Sequence, residues 1–302
     1  MKALVISGGG SKGAFAGGVA EYLMKKGQKE YDLFVGTSTG SLLAPLLAVG
    51  DLELAKKIYT NVTHQDIFTI CPFLFRKGKD GVTQVSINHW GIIKMFWRRE
   101  KTFGDSHNLR KLIGSTFTRQ SFDKLRSSGK EVVVSVSNLT LQELEYKSSN
   151  AYDYEDFCDW IWASASLVPF MSLVEKNGFD YGDGGFGSII PIQEAINRGA
   201  ATADVIVLYP AKQQITNPPI RNAFNVWNRT YDYMLGQIVK NDQTIGNLEA
   251  LAKKVALHFY YTPRLLTDQS FIFDPVQMAA WWAEGYQLFQ TEKPVSYSIA
   301  PE

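Results

Sequence analysis

Residues 33–48, LFVGTSTGSLLAPLLA, decide how the chain is read. A short apolar run ends at Gly36, and the segment G-T-S-T-G opens onto a second apolar run that contains Pro45. The first run suits a buried strand and the second a helix, which sets Ser38 on the turn between them. In a G-x-S-x-G elbow the serine backbone is strained and its hydroxyl stands clear, while small residues at Gly36 and Gly40 let strand and helix approach. A Ser/Thr-rich helix N-cap is the competing use of the same residues. Pro45 removes a helical hydrogen bond and predicts a kink or loosening of that helix.

Upstream, residues 2–7 (KALVIS) predict a strand, Gly8–Gly10 a turn and Ala14–Lys26 a helix. Strand, turn and helix thus recur twice within 50 residues, the rhythm of a parallel α/β sheet. Further strands are predicted at 130–139, 144–149, 204–210 and 255–263, in apolar runs suited to a sheet covered on both faces. Helices are predicted at 51–60, 105–116, 157–166, 191–198, 224–251 and 275–290. The expected organisation is one α/β domain over residues 1–302, with an insertion at about 66–104 and a linker-like stretch at 213–221.

Net charge is +1, which gives no electrostatic case for nucleic acid. Cys71 and Cys158 have no spaced partners, so neither a disulfide framework nor a zinc site is expected and the default home is cytoplasmic. The N-terminal apolar run is too short for a cleavable signal peptide, and no segment reaches the ~18 apolar residues of a membrane span.

The loop VISGGGSKGAF (5–15) admits three readings. Gly8, Gly10 and Gly13 satisfy the dinucleotide fingerprint, but the acidic residue at the expected distance, Asp32, opens the second strand where the fingerprint wants it at the end. The P-loop reading fails because Ala14 and Phe15 follow Gly13. The third reading is an anion site at a helix N-terminus, which in acyl transfer holds the oxyanion. A tight turn with no ligand remains the structural alternative.

A serine nucleophile needs a base. Ser38, Asp183 and His258 run in the order of an α/β-hydrolase triad, yet His258 sits mid-strand in VALHFYYTP (255–263) among large apolar residues. His64, His89 and His107 lie in polar, loop-like surroundings and form no metal spacing. The better base is Asp183, in the glycine-rich loop GFDYGDGGFGSIIPI (178–192), ahead of Asp180. A partly desolvated carboxylate there can accept the serine proton directly. An ordinary Asp-Gly turn is the alternative use.

GGGSKGAF, GTSTG and DGG stand in one order, which resembles the patatin-like phospholipase family. WASASLVPF (162–170), IIPIQEAINRGA (189–200), DVIVLYP (204–210) and FDPVQMAAWWAEGYQLF (273–289) resemble further family segments. The resemblance implies a three-layer α/β sandwich with a mostly parallel central sheet. It implies a lipid acyl hydrolase that uses a Ser–Asp dyad, without metal or cofactor. Carried over by position, Ser38 is the nucleophile, Asp183 the base, and Gly8, Gly9, Gly10, Ser11, Lys12 and Gly13 the oxyanion loop, with Lys12 its basic residue. Thr39 departs from the small residue usual there, and Pro45 is a second departure. The expected partner is a lipid or acyl ester, reached by peripheral membrane contact. HWGIIKMFWRREK (89–101) mixes aromatic and basic residues in the manner of an interfacial segment or lid, or of a core helix with a basic end.

Overall fold

Four residues without exposed surface, Ala3 to Ile6, put β1 (Lys2–Ile6) in the middle of the sheet of a computed structural model that describes residues 1–77, 83–212, 220 and 223–297. α1 (Gly13–Glu21) follows and continues as a π-helical turn over Tyr22–Lys26. Next come β2 (Leu33–Gly36), α2 (Thr39–Ala48), α3 (Leu52–Tyr59) and α4 (His64–Ile67). β3 (Phe73–Lys77), β4 (Thr83–Ile87) and α5 (His89–Trp97) make up much of the expected insertion. After them lie α6 (His107–Thr116), α7 (Arg119–Ser127), β5 (Glu131–Asn138), β6 (Glu143–Ser148) and α8 (Tyr154–Ser164). β7 (Val174–Lys176), β8 (Phe179–Asp183), α9 (Ile192–Asn197) and β9 (Thr202–Pro210) follow. The chain continues through α10 (Ala223–Lys253), β10 (Ala256–Thr262), α11 (Pro275–Thr291) and β11 (Val295–Tyr297).

The strands run in the order β11-β10-β9-β1-β2-β5-β8-β7, with β6 also on β5. β10, β9, β1, β2 and β5 are parallel neighbours, and the antiparallel pairs lie outside them. Side chains alternate between the faces of each strand. Leu4, Ile6, Phe34, Val132 and Val134 pack with α1, α2, α8 and α11, whereas Ala3, Val5, Val35, Val133 and Val205 pack with α9 and α10. Helices therefore cover both faces of a mostly parallel sheet. Ile6 pairs with Gly36, and Gly36 with Val134, so β1 and β2 end level beside β5. Turns leaving those carboxyl ends converge, which is where open α/β sheets place their sites.

Several elements differ from the sequence expectation. Residues 178–183, read as part of a glycine loop, belong to a hairpin over 174–183 that turns on Asn177 (φ 55°) and Gly178 (φ 82°). Asn-Gly between extended runs is a standard signal for that turn. The polar stretch of α7 hides only Phe122 and Leu125 beneath its surface, which conceals its helical period. The helix runs unbroken through Pro45, which is buried and lines an apolar cavity with Leu42 and Leu46. His64 is not in polar surroundings: its ring stacks 3.6 Å from that of Phe75, and Nε2 accepts the Phe273 N–H. Apart from Ile220, the linker-like stretch 213–221 lies outside the described residues.

The helical layer is pinned where α11 crosses α1. Trp282 is 1% exposed, its ring lies over Gly17, and Nε1 donates to Glu21 Oε2 at 2.6 Å. Trp282→Ala opens a cavity and removes one donor from the buried Glu21 carboxylate, which keeps Lys25 and Lys56. It should cost about 3–5 kcal/mol, read as a lower urea midpoint at unchanged slope.

Candidate active site

The elbow holds Ser38 at φ 54° and ψ −119°, outside the regions that side chains favour. Close backbone contact imposes this turn. A Cβ on Gly36 would lie 2.4 Å from the Gly40 carbonyl, and one on Gly40 would lie 2.2 Å from the Ile6 oxygen. Thr37 locks the approach: its N–H donates to the Ile6 carbonyl, and Oγ1 reaches Ser135 Oγ at 2.6 Å and the Ser188 carbonyl at 3.1 Å. The unusual Thr39 is buried and satisfied, with Oγ1 2.9 Å from the Tyr59 hydroxyl and its carbonyl accepting from the same group.

Ser38 Oγ donates to Asp183 Oδ2 at 2.7 Å. Asp183 stands at the end of β8, so it is delivered by a strand and not by the loop expected from its glycines. Its N–H donates to the Ser166 carbonyl, its own carbonyl accepts from Ser137 Oγ, and Oδ1 accepts the Gly185 N–H at 2.7 Å. Burial pushes the carboxyl up to about 7, against the opposing pull of the Ser38 and Gly185 hydrogen bonds. Asp180 is engaged elsewhere, 3.8 Å from Lys101.

The glycine loop lies against the elbow: a Cβ on Gly8 would meet Ser38 Cβ at 3.4 Å. Most of its amides are committed. Gly8 N–H donates to the Ile189 carbonyl, Ser11 N–H to Ser270, Lys12 N–H to Gly9, and Gly13 N–H back to Gly10 and Ser11. The N–H groups of Gly9 and Gly10 find no acceptor among the described residues, nor does that of Thr39 at the start of α2. Gly10 adopts φ +57°, and a Cβ there would lie 2.3 Å from the Ser270 oxygen. Lys12 is buried with Nζ 4.0 Å over the Tyr209 ring. Burial pulls its ammonium down to about 8, and Asp232 opposes that shift. Burial likewise lifts Asp232 to about 6 against the pull of Lys12.

Two supports were not read from the sequence. Ser164, at the end of α8, accepts the Ser38 N–H on Oγ at 3.1 Å, so this amide is engaged. The Ala-Ser segment held the signal: Ser164 meets the site through its hydroxyl and Ser166 through its backbone carbonyl, which accepts the Asp183 N–H. The second is Asp242 on α10. One oxygen, Oδ2, accepts the N–H groups of Ile189 at 2.7 Å and Ile190 at 2.8 Å. Those residues follow Ser188, whose carbonyl holds Thr37, and the Ile189 carbonyl holds Gly8. Asp242 thus braces the segment on which elbow and glycine loop both rest. Nothing local in a helical aspartate announces this, because its partners are 52 and 53 residues away.

The competing assignments do not assemble. His258 is level with Leu4 in mid-sheet, three strands from β2 and so about 14 Å away. Its Nδ1 lies 2.9 Å from Ser296 Oγ. Asp32 accepts the Lys2 N–H at the opposite end of β1 from the glycine loop, out of place for a dinucleotide ribose.

A family model described as patatin-like phospholipase matches residues 4–196. YjjU of Escherichia coli (strain K12), described as an uncharacterized protein, is 26% identical over 215 residues. That match covers 71% of this chain and 54% of the relative, so the chain spans about half the relative's length. The crystal structure of VipD from Legionella pneumophila shares the fold, with a TM-score of 0.52 at 16% identity over 98% of this chain and 68% of its own.

Asp242→Ala removes the shared acceptor and should slow labelling of Ser38 by a fluorophosphonate roughly 10–100-fold, as small misplacements of reacting groups do. Asp242→Asn should restore most of the rate, because its amide oxygen can accept both N–H groups.

Proposed function

The chain belongs to the patatin-like phospholipase family, and from that premise we propose that it hydrolyses carboxylic esters of lipids through Ser38 and Asp183. The single observation that carries this reading is the direct 2.7 Å hydrogen bond between a strained elbow serine and a buried carboxylate. A carboxylate with a pKa near 7 is a far better base toward a hydroxyl than an ordinary aspartate.

Ser38 Oγ attacks the ester carbonyl carbon and its proton passes to Asp183 Oδ2. The negative charge gathers on the former carbonyl oxygen. Gly9 and Gly10 are the candidate donors to it, since their amides are uncommitted. The intermediate then collapses: the bond from carbon to the leaving oxygen breaks, and Asp183 returns the proton to that oxygen. Water repeats the sequence on the acyl-serine, with its proton taken by Asp183 and returned to Ser38 as the acid departs. An apolar cavity lined by Thr39, Leu42, Leu46, Phe117 and Met278 supports an acyl substrate, because its lining includes the chain neighbour of Ser38. Lys12 is a positioning residue on this reading, its stem packed near Gly9 and its charge facing Asp232. A substrate class of phospholipid and lysophospholipid type fits, with peripheral contact at the membrane that holds it.

Ser38→Ala and Asp183→Asn should each lower turnover of a p-nitrophenyl ester and of a phospholipid by about a thousandfold or more, as loss of a nucleophile or its base does. Retained turnover in either variant would sink the dyad, and His258→Ala should keep the parent rate. The pH profile gives an independent check. Asp183 must be ionised to take the proton, so kcat/KM should fall as pH drops through about 7 and level off above it. A profile flat down to pH 5 would exclude Asp183 as the base.

A further inference from the structure

α5 has two apolar faces, of which one is buried and the other is largely exposed. At 3.6 residues per turn, Gly91, Ile92 and Met95 lie on the inward side, where Met95 is 2% exposed. On the opposite side Phe96, Ile93, Trp97 and Trp90 occupy an arc of about 120°. Trp90 is 82% exposed, Phe96 66% and Trp97 86%. Isolated exposed apolar residues are normal in folded chains, but two tryptophans and a phenylalanine sharing one helical face mark an interaction surface.

The charges around this arc name the partner. Lys94 borders it, and Arg98 and Arg99 extend from the helix end; all three are exposed and enter no ion pair among the described residues. Lys101 is held 2.8 Å from Glu175. Glu100 is the sole acid in residues 89–101, a strong local imbalance in a chain whose net charge is +1. We propose that α5 docks this protein onto anionic phospholipid bilayers, with Trp90, Phe96 and Trp97 inserted at the headgroup boundary and Lys94, Arg98 and Arg99 over lipid phosphates. Tryptophan is at home at that boundary because an apolar ring and a polar N–H each find their medium there. Each free cation near an anionic leaflet adds further attraction that salt screens.

The face is connected to the catalytic side of the molecule. Phe96 packs on Phe103 (6.4 Å between ring centres), Phe103 on Phe170 (6.0 Å), Phe170 on Phe73 (5.0 Å) and Phe73 on Phe271 (5.6 Å). The adjoining Ser270 carbonyl accepts from Ser11 of the glycine loop. Docking through α5 therefore brings a bilayer to the aromatic cluster that borders the loop beside Ser38. This inference rests on the lipid reading of the site for its purpose, but its physical content is adhesion and is measured without turnover.

The test uses the full chain carrying Ser38→Ala and vesicles of ether-linked lipids, so no acyl bond can break. The expected result is co-sedimentation with phosphatidylglycerol/phosphatidylcholine vesicles, a blue shift of tryptophan fluorescence, and weak binding to phosphatidylcholine alone. Trp90→Ser with Trp97→Ser, and separately Lys94→Ser with Arg98→Ser and Arg99→Ser, should each weaken partitioning more than tenfold. With Ser38 intact, both sets should hydrolyse a soluble p-nitrophenyl ester at the parent rate, which separates loss of docking from damage to the site. Equal affinity for neutral and anionic vesicles, or parent-like binding by either set, would overturn the proposal. So would a tryptophan-dependent dimer in sedimentation velocity without vesicle binding, which would give the face to a second copy of the chain.

Discussion

The close approach of β2 and α2 at Gly36 and Gly40 is the constraint on which the site turns. It leaves Ser38 no ordinary backbone conformation, a strain of roughly 1–3 kcal/mol for a residue in so sparsely populated a region. The surroundings hold it there. Thr37 is tied to β1, β5 and the segment after Asp183, the Ser38 N–H to Ser164, and the Ser41 hydroxyl to the Ser38 carbonyl. Each tie comes from a different element, so the strained geometry belongs to the whole sheet end and not to the pentapeptide. Sheet register matters for the same reason: a slip of β1 against β2 would withdraw the Ile6 carbonyl from Thr37.

The electrostatics follow from how charges are separated. A direct carboxylate base is useful only if nothing pulls its pKa back toward the ordinary range. A cation beside Asp183 would do that. The loop brings a lysine close to the elbow, yet Lys12 is packed over Tyr209 and faces Asp232. The opposing influences on Asp183 are hydrogen bonds from Ser38 and Gly185, and burial outweighs both. Asp232 thus offers Lys12 a carboxylate partner other than Asp183, whose carboxyl stays raised to about 7 by burial.

Legibility in the sequence tracked how local each signal was. β1, β2, α2 and the glycine turn each lie within a few residues of the pattern that defines them, and Asp183 was marked by its adjacent glycines. The expected fold class, a mostly parallel sheet between helical layers, matches the family and the observed architecture. What escaped was either non-local or masked by composition. Asp242 has meaning only through Ile189 and Ile190. The α7 helix hides because polar residues surround its two core contacts. The β7–β8 hairpin was legible in Asn177-Gly178, but its glycine neighbours made the whole stretch look irregular. His64 looked polar by its neighbours in sequence and is aromatic by its neighbours in space.

The span matched by the family model stops at residue 196, yet the site it contains is completed from beyond that point. β9 is the parallel neighbour of β1, and without it one edge of the strand that feeds the glycine loop would be unpaired. Ser270 caps the Ser11 amide, Asp242 holds two backbone amides under the elbow, and Trp282 fixes α1, the helix into which the glycine loop runs. A buried amide deprived of its acceptor costs about 1–3 kcal/mol, and three of them face this small volume. The C-terminal third is therefore the frame that keeps Ser38, Asp183 and the amides of Gly9 and Gly10 in one arrangement. Motifs that carry chemistry can be short because the residues that hold them still are spread over the rest of the chain.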